Sequence, residues 1–127
     1  MRQFSTLAGL AVPALVLVSC ATSEPERLAD IEARATAACP AAVERSNAAG
    51  EYSYDVSTCE CIAGRITTPL WSDENSSYSG DPMPIKDAKA IAKAIRTGET
   101  LGKGLDAAKQ EISVPSANSV NTCFSKY

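Results

Sequence analysis

The sequence contains no histidine. That absence excludes Ser-His-Asp and Cys-His catalysis, histidine metal ligands and the side chain most often used as a general base near neutral pH. There is no GxxxxGK[ST] phosphate loop and no GxGxxG dinucleotide turn. Aromatic residues are scarce, with one Trp, two Phe and four Tyr, so any core must be thin and packed through small side chains. The formal net charge of −3 argues against a nucleic-acid partner. No internal repeat and no heptad run of useful length occurs. The apolar run near the N-terminus, Leu7 to Val12 and then Ala14 to Val18, is shorter than the roughly 20 residues that a membrane span requires. Pro13 would also break a longer helix there.

What that N-terminal stretch does have is order. Met1 and Arg2 give a positive start, the apolar run follows, and small Ser19 precedes Cys20. This is the layout of a removable export signal covering residues 1–19. Its end, Leu17-Val18-Ser19-Cys20, resembles the lipobox of bacterial lipoproteins, and the resemblance covers residues 1–20. It implies that the Cys20 thiol receives a diacylglycerol, that the signal is cut before Cys20, and that the new amine is acylated. Two or three acyl chains hold a protein firmly where one binds marginally. The covalent lipid would be the only non-protein group, with the membrane as first partner. Ala21, rather than Asp, implies by the enterobacterial sorting pattern an outer-membrane address facing the periplasm. An ordinary export signal with an incidental Cys is the alternative.

Removal of 19 of the 127 residues leaves 108, one domain's worth. Besides Cys20 the chain holds Cys39, Cys59, Cys61 and Cys123. In an oxidising compartment four Cys in a small domain form two disulfides, whereas a zinc site lacks a second close pair and any His. Cys59 and Cys61 point to opposite sides of a helix or strand and would bridge only under strain. Cys39 therefore pairs with one of them and Cys123 with the other, in either order, making Cys59-Glu60-Cys61 a hub.

Residues 20–26 read as the lipidated Cys and a short polar tether, and residues 27–127 as a small helical domain. A first helix should start near Pro25 with Ser23 as cap, bury Leu28, Ile31, Ala35, Ala38 and Ala42, kink or break at Pro40, and end near Gly50. Ser57 or Thr58 should cap a short helix that buries Cys59, Ile62, Ala63 and Ile66, with a strand as the alternative. Residues 67–84, rich in Pro, Ser, Asp and Gly, read as a long loop. The strongest helix covers residues 85–97 on the stripe Ile85, Ala88, Ile91, Ala92 and Ile95, ended by Gly98. Leu101, Leu105, Ala108 and Ile112 continue helical spacing, weakened or brought close to a neighbour by Gly102 and Gly104, and stopped by Pro115. Val120, Cys123, Phe124 and Tyr127 fall on one face of a last helix, with Ser116 as a cap. The expected fold is all-α: four or five short helices stapled by two disulfides.

Charge is uneven. Residues 21–80 hold ten acids and four bases, residues 81–127 five acids and seven bases, and every Lys lies in the second part. Lys86, Lys89, Lys93 and Arg96 recur at steps of three, four and three. They form a basic stripe that can rest on anionic headgroups or lipopolysaccharide phosphates, or be an ordinary solvated face part-neutralised by Asp87. Trp71 and Tyr78, in the polar loop, can stack on a sugar or grip a partner protein, unless Leu70 and Trp71 fold back over the core. Glu51, Asp55 and Glu60 offer carboxylates for glycan chemistry, but read more simply as solvated surface acids. The expectation is a non-catalytic envelope lipoprotein that binds or braces an envelope protein or peptidoglycan. Two readings compete: an immunity-type protein against a secreted toxin, by analogy of size, helicity and Cys content alone, and a peptidoglycan binder or hydrolase.

Overall fold

The computed structural model describes residues 24–71 and 78–124. The segment read as an export signal, Cys20, the Ser23 expected to cap the first helix, and Tyr127 lie outside them. The chain is a small all-α domain with one short hairpin. Its order is α1 (Glu24–Ala48), α2 (Val56–Gly64), a 3-10 turn (Arg65–Thr67), β1 (Leu70–Trp71), β2 (Tyr78–Asp81), α3 (Ile85–Thr97), α4 (Leu101–Lys109), α5 (Val114–Asn121) and a final 3-10 turn (Thr122–Phe124).

α1 buries Leu28, Ile31, Ala35, Cys39, Ala42 and Ser46, at steps of three and four. The break expected at Pro40 does not occur: the helix runs unbroken for 25 residues with Pro40 inside it. Pro40 is exposed, so the Thr36 carbonyl that loses its N–H donor can turn to water, while buried Cys39, Ala42 and Val43 hold the helix on course. The end is as expected. Gly50 has φ +87°, its N–H donates to the Asn47 carbonyl at 3.0 Å, and the Glu51 N–H donates to the Ser46 carbonyl at 2.8 Å. This is the left-handed glycine stop that closes many helices. α1 is described from Glu24, so at most three residues separate it from Cys20.

α2 has the expected buried face, Cys59, Ile62 and Ala63, continued by Ile66 in the 3-10 turn. Its cap is neither Ser57 nor Thr58. Asp55 caps it, accepting from the Thr58 N–H at 2.8 Å and the Ser57 hydroxyl at 3.1 Å. A carboxylate one turn earlier reaches the free N–H groups, and Ser57 serves it as a second donor. The long loop is corrected to a hairpin: Leu70 pairs with Asp81 and Trp71 with Tyr78, antiparallel and with a bulge. Strands of two and four residues are too short for alternation to show.

α3 occupies residues 85–97 and stops at Gly98, as the stripe predicts. α4 ends at Lys109, well before Pro115. Pro115 instead occupies the first turn of α5, where its missing N–H is harmless, and the cap position is Ser113 rather than Ser116. Gly104 lets α3 and α4 touch: a Cβ there would lie 2.8 Å from the Ala94 carbonyl oxygen and 3.1 Å from the Ala94 Cα. Val120 and Cys123 are buried, but Phe124 is 42% exposed, stacked edge-on against Tyr54 at 5.7 Å with the Lys109 ammonium over its ring. The disulfides resolve the open pairing as Cys39–Cys59 and Cys61–Cys123.

Candidate functional site

α3 presents two opposite faces. Ala88, Ile91, Ala92 and Ile95 are buried, while Lys86, Lys89, Lys93 and Arg96 are exposed. The structure divides the basic stripe. Lys86 turns away, donating to the Glu111 carbonyl at 3.0 Å and lying 3.6 Å from Asp87. Lys89, Lys93 and Arg96 line an open groove of about 360 Å³ against α1, with Arg34 on the far wall and Ile31 and Ala92 in the floor. A neighbouring depression shares Lys89 and Lys93 and adds Arg27, Lys86 and Glu111. Sequence reasoning missed Arg27 and Arg34. They flank buried Ile31 at helical steps of four and three, but nothing in the sequence said that this flank of α1 lies beside α3. Arg34 also pairs with Asp30 at 2.9 Å, both side chains well exposed, a contact worth little in water.

The two helices run in the same direction. Arg27, at the start of α1, shares a depression with Ile85 and Lys86, at the start of α3. At the other end Arg45 donates to the Ile95 carbonyl at 2.9 Å and the Gly98 carbonyl at 3.0 Å, closing the C-terminus of α3. The neighbouring depression therefore lies at the start of both helices, and the groove follows it, from Ile31 and Arg34 of α1 to Arg96 and Thr97 at the end of α3.

Asp87 does not neutralise the stripe from the surface. It is 1% exposed and accepts from the Ser113 N–H at 3.1 Å, the Ser113 hydroxyl at 2.7 Å and the Ser116 hydroxyl at 2.8 Å. Burial pushes its carboxyl up, but those hydrogen bonds and the Lys86 charge outweigh burial and hold it below the usual range. Asp87 thus fastens the start of α5 to α3.

The three carboxylates considered for glycan chemistry are not gathered as a catalytic pair. Asp55 caps α2, and Glu60 is exposed on that helix. Glu51 reaches α4, accepting from the Gly102 N–H at 2.9 Å and the Thr100 hydroxyl at 3.1 Å. Burial raises the Glu51 carboxyl, and the bonds from Gly102, Ser46 and Thr100 with the Lys103 charge more than reverse this. The start of α4 is thereby completed, because the Leu101 N–H donates to Ser46 Oγ at 2.8 Å and the Lys103 N–H to Thr100 Oγ1 at 3.1 Å. Trp71 and Tyr78 face each other in the hairpin register, and their side chains lie outside the described residues, whereas neighbouring Leu70 is buried. Among the described residues no cluster of acids or cysteines is placed to hold a metal, and no helix is long and apolar enough to cross a membrane. Comparison with known protein families, with curated proteins and with solved structures finds no match.

Proposed function

We propose that this chain is a non-catalytic lipoprotein of the bacterial envelope, held at the membrane through Cys20 and acting as a small binding or structural module. One observation carries the proposal. Of five cysteines, four are bridged to each other, Cys39 to Cys59 and Cys61 to Cys123, which leaves Cys20 over. The leftover thiol is the one that ends Leu17-Val18-Ser19-Cys20 behind a charged start and an apolar run. Two bridges in a domain this small also suit an oxidising compartment. α1 includes Glu24, so at most three residues separate it from Cys20, and so short a linker, reaching about 14 Å at full stretch, would hold the domain against the bilayer. Growth with labelled palmitate tests the proposal. The wild-type chain is expected to take up label and to sediment with membranes, and Cys20→Ser to lose the label. Label persisting in Cys20→Ser, or absent from the wild type, refutes it.

A further inference from the structure

We infer that the groove between α1 and α3 seats the domain on the anionic lipid headgroups of the membrane that carries its anchor, an inference that rests on the lipoprotein reading. Three observations lead there. The first is charge. The chain as a whole is acidic, at −3, yet Lys89, Lys93, Arg96 and Arg34 share one groove whose lining contains no acid. Among the described residues Lys89, Lys93 and Arg96 make no ion pair. Three nearby acids are engaged elsewhere or by the rim itself: Asp30 pairs with Arg34, Glu99 with Lys103, and Asp87 is buried under Ser113 and Ser116. Glu111 lies outside the groove: it lines the adjoining depression, where Arg27, Lys86, Lys89 and Lys93 outnumber it, and another between α3 and α4 that it shares with Lys93.

The second is shape. The groove is open, about 360 Å³, with buried Ile31 and Ala92 beneath a rim of cations. A phosphodiester headgroup meets ammonium and guanidinium groups at that rim, while its glycerol end meets the apolar floor. The third is position. Because α1 and α3 run in parallel, the adjoining depression at Arg27 lies toward the anchor and the groove continues from it, with Arg34 about 15 Å along α1 from Glu24. A linker of three residues would keep this face within reach of the same leaflet. Each cation close to an anionic surface strengthens binding about fivefold, so three act together at roughly a hundredfold.

The test uses the mature chain, residues 20–127, carrying Cys20→Ser, so that neither an acyl chain nor the apolar run of residues 7–18 dominates, with vesicles of phosphatidylcholine alone or with about a third phosphatidylglycerol. The parent is expected to bind the anionic vesicles roughly a hundredfold more tightly than the Lys89→Gln, Lys93→Gln, Arg96→Gln variant, and the two to bind neutral vesicles alike. Lys103→Gln with Lys109→Gln, on α4, is expected to change binding by less than about threefold. Equal binding of parent and triple variant to anionic vesicles overturns the inference. So does a loss in the α4 variant matching that of the triple variant, which would reduce the effect to net charge. Release by millimolar inorganic phosphate at constant ionic strength would reassign the groove to a soluble anion and overturn it too. The anchor is judged separately: palmitate uptake without anion dependence removes the groove's role and leaves Cys20 standing, and anion dependence without palmitate uptake does the reverse.

Discussion

Two buried or half-buried carboxylates hold this molecule's short helices in place, each by reaching a helix start that would otherwise leave N–H groups without partners. Asp87 serves α5 and Glu51 serves α4. Replacing Asp87 with Ala strands the Ser113 N–H and two hydroxyls, and is expected to cost about 2–3 kcal/mol in urea unfolding. Asp87→Asn should cost less, since it keeps an acceptor. Both carboxyls are held below their ordinary values, 3.8 for Asp and 4.5 for Glu. Their contribution is therefore complete above those values and disappears as pH falls through the lower folded-state values. The thermal midpoint should stay level from pH 7 to about pH 5 and fall below about pH 4, with a smaller fall in Asp87→Asn. Neither role was legible in the sequence. An acid between two lysines reads as a surface neutraliser, and the partners of Asp87 stand 26 and 29 residues downstream. The Cys residues were legible as far as geometry goes: exclusion of a Cys59–Cys61 bridge needs only the alternation of side chains, while the choice between the two remaining pairings depends on how α2 is turned toward α1.

At the level of elements, legibility followed the strength of periodicity. α3 has a clean apolar stripe and a glycine stop, and its bounds could be read directly. The hairpin has neither length nor alternation and was hidden in a stretch of turn-forming residues. Pro40 misled in the opposite sense, because a local rule about proline was overruled by burial on the far side of α1. That outcome carries a prediction. Pro40→Ala restores an N–H to the Thr36 carbonyl and removes the ring from an unbroken helix. It should raise stability, by at most about 3 kcal/mol, read as a higher urea midpoint with an unchanged slope. A lower midpoint would mean that the proline ring packs usefully where it sits. Gly104 shows the limit of propensity in the other direction. A helix-weakening residue is retained because the α3 backbone at Ala94 occupies the space of its Cβ.

The whole molecule is a thin core whose parts lie far apart in sequence, joined at a single turn of α2. Cys59 bridges back across 20 residues to α1, and Cys61 bridges forward across 62 to the C-terminal turn. Only Glu60 stands between them. Suppose the chain is pulled from Cys20 and Tyr127. Tension would run along α1 to Cys39, through two peptide bonds of α2, and out at Cys123, bypassing the hairpin and the three helices that follow it. With the sulfur bridges intact the chain could lengthen only to roughly 100 Å, against roughly 370 Å after reduction. In a force-extension measurement an oxidised molecule should stop at the shorter length, and adding a reductant under load should release the remainder in discrete steps. A protein tethered at one end and tugged at the other would thus carry the strain through α1 as far as Cys39 and a few covalent links, keeping α3 with Lys89, Lys93 and Arg96 out of the direct load path.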